Sequence, residues 1–96
     1  MPQYKVSTKA KQDLFDIGIF TQNKFGIKQR RLYLNAIAEK FTLLVNKHDI
    51  WVDRFNLRKG YYSILIQKHI VFYKKYKNGI RIIRVLHQSM EFDKHL

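Results

Sequence analysis

The stretch from Arg54 to Met90 constrains the fold most. RFNLRKGYYSILIQKHIVFYKKYKNGIRIIRVLHQSM carries nine Lys/Arg and no Asp or Glu, and it divides into β-branched and aromatic runs separated by turn residues. Such runs read as antiparallel strands. The strands expected are Tyr61 to Ile66, Ile70 to Tyr76 and Ile80 to Leu86. The Asn78-Gly79 pair between the last two predicts a two-residue type I′ turn, which needs φ > 0 at both positions. Upstream, Asp53 to Leu57 is a strand or an irregular approach to one, and Arg58-Lys59-Gly60 marks a turn or bulge. Alternation is poor, because Ile82 and Ile83, or Val71 and Phe72, are adjacent apolar residues that point to opposite faces. Both faces of the sheet therefore need cover. Helices can supply one cover; the C-terminal tail, a second copy or a binding partner is left to supply the other.

The N-terminal half supplies the helices. After a short β-leaning segment from Pro2 to Val6, Ser7-Thr8 offers an N-cap hydroxyl, and Ala10, Leu14, Ile17, Thr21 and Phe25 recur at helical spacing. Phe15, Ile19 and Phe20 fall off that stripe, so this helix is either sandwiched or keeps one side for a partner. Gly26 stands where a left-handed C′ residue would end it. A second helix from about Lys28 places Leu34, Ile37, Ala38, Phe41, Leu44 and Val45 on one side and Arg30, Arg31, Glu39 and Lys40 on the other. The short connection makes the pair a helical hairpin. Asn46 to Asp53 breaks the period and reads as a loop with Trp51 turned back onto the core.

A chain of 96 residues has room for one domain, and a 46% apolar, 15% aromatic composition is that of a folded globule. The net charge of +12 opposes compactness unless a partner of opposite sign is present, whether nucleic acid or an acidic protein segment. Without cysteine there is neither a disulfide frame nor a thiolate metal site. No apolar leader follows Met1, since Lys5, Lys9 and Lys11 interrupt, and no run is long enough to span a bilayer; the expectation is a cytoplasmic protein without a membrane role.

Among single residues, Arg84 stands between Ile83 and Val85 and close to His87, a guanidinium among apolar neighbours that needs a partner. By plain alternation Arg81 and Arg84 point to opposite faces, as do Lys74 and Lys75. His48, His69, His87 and His95 show no ligand spacing, so neither metal nor cofactor is expected. His87 has the chemistry of a general acid or base, but a lone strand-end histidine is expected to be structural. Asp13 and Asp16, with Lys9, Lys24 and Lys28, read as exposed ion pairs of little weight. Tyr61, Tyr62, Phe72, Tyr73 and Tyr76 interleave with basic residues, which fits base stacking or ordinary cross-strand packing equally well.

Taken in register, several of these residues carry a family resemblance: Ala10, Asp13-Leu14, Ile17 and Phe20-Thr21, then Phe25-Gly26, Tyr33 and Phe41, then Arg58-Lys59-Gly60-Tyr61, His69-Ile70-Val71-Phe72-Tyr73, and Arg84-Val85-Leu86-His87 with Ser89-Met90-Glu91. The chain resembles the ParE-type toxins of the RelE/ParE superfamily, the toxin halves of type II toxin–antitoxin pairs. The resemblance implies an α+β domain over residues 1–96 in the order β-α-α-β-β-β, its antiparallel-rich sheet packed by the N-terminal helical hairpin. It also implies a hetero-oligomeric complex with a ParD-like antitoxin whose acidic C-terminal segment wraps the toxin, and DNA gyrase as a target held in its cleaved-DNA state with no catalytic step. The RelE branch cuts ribosome-bound mRNA instead. It carries paired lysines on the strand matching Tyr61 to Ile66, which here has no basic residue, and an arginine where this chain has Ile70. Its C-terminal arginine and tyrosine fall near Gln88 and Lys94, and Arg81, Arg84 and His87 could form a substitute set. A third reading is a degenerate toxin that serves only to bind antitoxin. Arg58, Lys59, Tyr61, Arg81, Arg84, His87 and Met90 are the candidate contacts to target or antitoxin.

Overall fold

The computed structural model describes residues 3–47 and 51–96. Pro2 and His48, with the part of the expected loop at 48–50, lie outside them. In chain order the elements are β1 (Gln3–Val6), α1 (Thr8–Phe25), α2 (Ile27–Asn46), β2 (Val52–Asp53), β3 (Tyr61–Ile66), β4 (His69–Tyr76) and β5 (Gly79–His87), with a 3-10 turn at Phe92–Lys94. They build one sheet in the order β1-β5-β4-β3-β2. β1 runs parallel to β5 and every other pair is antiparallel. This is the expected α+β order with one addition, the two-residue β2, which pairs Val52 with Ser63 and Asp53 with Tyr62. No strand continues to Leu57, because the Asp53 carboxylate accepts the Phe55 N–H at 2.7 Å and turns the chain.

Ser7 caps α1, its hydroxyl oxygen accepting from the Ala10 N–H at 3.0 Å. The stripe Ala10, Ile17 and Thr21 is buried, whereas Phe15, Phe20 and Phe25 are 55%, 63% and 63% exposed. Phe25, expected on the buried stripe, is thus exposed at the helix end, while Phe15 and Phe20, off the stripe as expected, are uncovered in this chain. Gly26 joins the helices at φ 98°, ψ 168°, an extended positive-φ conformation open to glycine and not the left-handed C′ geometry expected. On α2 the buried side holds Tyr33, Ile37, Phe41, Leu44 and Val45. Trp51 returns to the core as expected, donating to the Leu44 carbonyl at 3.0 Å and packing its ring 4.9 Å from Tyr62 and 5.1 Å from Tyr73.

The β4–β5 turn differs from the expected one. Tyr76 pairs with Gly79, so the loop is Lys77-Asn78, and neither residue has positive φ. Gly79 serves another purpose. Gln3 of β1 lies opposite it, and a Cβ at Gly79 would collide with the Gln3 carbonyl. The glycine is what lets β1 close the sheet. β4 begins at His69, one residue earlier than expected, because the preceding turn is the two-residue Gln67-Lys68 with Gln67 at φ 53°.

Both faces of the sheet are covered, by different means. The helices bury Val71, Tyr73, Ile80, Ile82 and Val85 on one face. On the other, Leu57, Phe92 and Leu96 pack over Ile70, Phe72 and Leu86, with the Phe92 ring edge-on to Phe72 at 5.0 Å. Of the candidate covers for this second face, the C-terminal tail is the one in place. It reaches only one end of it. Among the described residues no helix is long and apolar enough to cross a membrane.

Candidate functional site

A register shift organises the last strand. Phe72 lies opposite Arg84 while Tyr73 lies opposite Ile82, so Ile83 is an extra residue in β5. Ile82 and Val85, three apart, both enter the helix-side core as a result. Plain alternation therefore does not govern Arg81 and Arg84; their partners separate them. β1 ends opposite Ile82, leaving the next part of β5 with an open edge. Asp13 of α1 fills that edge. Its carboxylate accepts from the Val85 N–H at 3.0 Å and from Arg84 Nε and Nη2 at 2.7 and 2.9 Å. The pair is 15% and 13% exposed, and the hydrogen bonds Arg84 donates to Asp13 hold the guanidinium above its ordinary pKa. Asp13 is thus no surface ion-pair partner of nearby lysines, as its sequence neighbours imply. Arg84 also donates from Nη1 to the His95 carbonyl at 2.8 Å, and Arg58 donates to the Leu96 backbone oxygen at 2.7 Å. These two arginines fasten the tail.

The uncovered end of the same sheet face is basic. Lys5 of β1 is opposite Arg81 of β5, Arg81 is opposite Lys74 of β4, and Lys74 is opposite Tyr61 of β3. Directly opposed residues share a face, so the four form one row across four strands. Lys74 Nζ stands 5.5 Å from the Tyr61 ring centre, and Lys5 Nζ stands 5.0 Å from that of Tyr76. Ser7, Lys9 and Ile83 complete the rim of a shallow hollow of about 410 Å³. Lys74 and Arg81 are exposed, with no carboxylate bound to either among the described residues.

A third group gathers at the far end of β5. His87 stacks edge-on to His69 at 5.4 Å, and His69 Nδ1 lies 2.7 Å from the Tyr33 hydroxyl. Burial, and then the neighbouring His87, lower the His69 pKa; burial raises that of Tyr33. The Ser89 N–H donates to His87 Nδ1 at 3.1 Å, which leaves the proton of the neutral ring on Nε2. Tyr33, His69 and His87 line a cleft of about 610 Å³ bounded by Phe20, Lys24, Phe25 and Lys68. Lys24 Nζ sits 5.6 Å from both phenylalanine rings.

The seven sequence candidates therefore fall into separate places. Arg58 and Arg84 hold the tail, Tyr61 and Arg81 belong to the basic row, and His87 lies in the cleft. Lys59 is exposed in the turn before β3, and Met90 is exposed just after β5. Arg81 and His87 are six residues apart on one strand, roughly 20 Å at about 3.3 Å per residue. Arg81, Arg84 and His87 do not converge. Among the described residues no three His, Asp or Glu side chains gather to hold a metal ion. The sequence reading left Lys5, Lys74, Asp13, His69 and Tyr33 off the candidate set. Asp13 carried a usable signal, since it follows Ala10 by three and precedes Ile17 by four, on the buried stripe. Lys5 and Lys74 carried none, because their alignment with Arg81 is a matter of long-range register.

A helical hairpin is laid on one face of a mostly antiparallel sheet, and the other face is covered by the tail at one end and carries the basic row at the other. A structure from the chromosomal ParDE TA system of P. aeruginosa has the same fold, at a TM-score of 0.77 and 18% identity over 91% of this chain and 96% of that one. Residues 4–92 match the family model for the ParE toxin of the type II toxin–antitoxin system parDE, and the chain belongs to that family. Among its relatives, toxin ParE1 of Caulobacter vibrioides is 35% identical over 98 residues, covering 100% of this chain and 99% of the relative. Toxin ParE1 of Mycobacterium tuberculosis strain H37Rv is 28% identical over 95 residues, covering 98% and 97%.

Proposed function

We propose that this ParE-family toxin acts on DNA gyrase, holding the enzyme in its cleaved-DNA state by binding, with no chemical step of its own. The observation that carries this reading is the row Lys5, Arg81, Lys74 and Tyr61, an exposed cationic surface on a rigid sheet. Such a surface complements a target that presents DNA and acidic protein together. A nuclease needs a base, an acid and a charge-stabilising cation around one phosphate. Here Arg84 is occupied by Asp13 and the tail, and Arg81 and His87 stand at opposite ends of β5.

The antitoxin is a ParD-like protein whose acidic C-terminal segment lies along the outer side of α1. Phe20 and Phe25 offer it uncovered apolar rings at the C-terminal end of the helix, and Lys24 beside both supplies the opposite charge. In the cytoplasm the toxin is held inactive in that hetero-oligomeric complex until released.

Purified gyrase tests the target. With plasmid DNA and ATP, micromolar toxin is expected to block supercoiling and to raise the amount of linear DNA released by detergent. Full supercoiling with no trapped DNA removes gyrase as the target. Cleavage of mRNA on translating ribosomes, read by primer extension, would put an enzymatic mechanism in its place.

A further inference from the structure

We infer that the open end of the sheet binds single-stranded nucleic acid directly, with Lys5, Lys74 and Arg81 meeting phosphates and Tyr61 and Tyr76 stacking on bases. This goes beyond the gyrase reading and does not rest on it, because the site is complete in this chain alone. Three cations lie on three adjacent strands, in the order Lys5, Arg81, Lys74. At a strand spacing of about 4.8 Å they span roughly 10 Å of flat surface, enough for successive backbone phosphates of an extended strand. The stretch that carries Lys74 and Arg81, residues 54–90, contains no Asp or Glu.

The aromatic component separates a nucleic-acid strand from an acidic peptide. Tyr61 and Tyr76 flank the cations, and each has a lysine ammonium within 5.5 Å of its ring centre. A base has a π-face to lay on such a ring while its phosphate meets the adjoining ammonium. Glutamate and aspartate side chains have no aromatic face, so for them the tyrosines supply at most a hydroxyl hydrogen bond and no stacking. Unpaired bases are required, since a duplex keeps its π-faces stacked inside. Arg84 takes no part, being held by Asp13 and the His95 carbonyl.

The test is fluorescence anisotropy of a labelled oligo-dT of about 15 nucleotides with the purified full chain, titrated between about 50 and 200 mM salt. The wild type is expected to bind, with affinity falling linearly on a log–log plot. The Lys74→Ala/Arg81→Ala variant is expected to bind at least tenfold more weakly, its salt slope shallower by about 1.4, from two contacts at about 0.7 each. Tyr76→Ala is expected to lose about fivefold or more with the slope unchanged. Lys28→Ala/Arg31→Ala on α2 removes the same charge from exposed positions elsewhere and is expected to stay within about twofold of wild type. Circular dichroism confirms that each variant is folded. No binding by the wild type at the lowest salt overturns the inference. So do equal losses in the two double variants, or tighter binding of a poly-glutamate peptide through Lys74 and Arg81.

Discussion

The sheet face turned away from the helices has two ends that use the same kinds of residue for opposite purposes. At one end Arg58 and Arg84 are bound to the backbone of the tail, and aromatic Phe92 is pressed onto Phe72. At the other, Lys5, Lys74 and Arg81 face solvent beside Tyr61 and Tyr76. What separates them is whether the cation has a partner inside the chain. Arg84 has a bidentate carboxylate and a carbonyl, so it builds structure. Arg81, three residues earlier, has neither among the described residues, and the charge it carries is available to another molecule.

This contrast predicts a graded series of effects. Arg84→Ala leaves the Asp13 carboxylate half-satisfied and removes one of the two ties to the tail, and is expected to cost about 2–3 kcal/mol in urea denaturation; the pair is mostly buried, so removing one partner is expensive. A loss below about 0.5 kcal/mol would make Arg84 an ordinary surface cation and erase the distinction. Phe92→Ala strips the half-buried cover from Phe72 and is expected to cost about 1–2 kcal/mol by the same measurement.

Titration should sharpen the picture at the far end of β5. His69 has its pKa lowered, first by burial and then by His87, so the unfolded chain binds more protons once the pH falls below its ordinary value of about 6.5. The stability it allows is full above that pH and declines as the pH drops toward the lowered folded-state value. Denaturation midpoints measured from pH 8 to 5 should show this fall, and His69→Gln should flatten it. An unchanged profile in the variant would assign the fall to other groups. The smallest effect on stability belongs to Lys74→Ala/Arg81→Ala, within about 0.5 kcal/mol of wild type, since both side chains are exposed and make no ion pair among the described residues.

How far the sequence exposes this contrast depends on the range of the interactions. The helical stripes of α1 and α2, the cap at Ser7 and the three long strands follow from local periodicity, and they appear in place except for Phe25, which ends α1 exposed. The family resemblance reaches the same architecture and is matched over residues 4–92. The division of the arginines is not local. It depends on the extra residue at Ile83 and on β1 lying parallel to β5 and ending at Ile82, neither of which leaves a periodic trace. The Asn78-Gly79 pair misleads for a related reason: its glycine answers to the approach of Gln3, seventy-six positions away in sequence, and not to the turn. Asp13 could have been read, because a carboxylate on a buried helical stripe demands a cation.

The claim that the open basic end is the working surface is tested most directly by the amount of cleaved plasmid DNA that purified gyrase retains with wild-type toxin and with Lys74→Ala/Arg81→Ala. The wild type should trap cleaved DNA in proportion to toxin, and the folded double variant should trap at most about a tenth as much, the loss of two desolvated phosphate or carboxylate contacts. Equal trapping by the two proteins would contradict it.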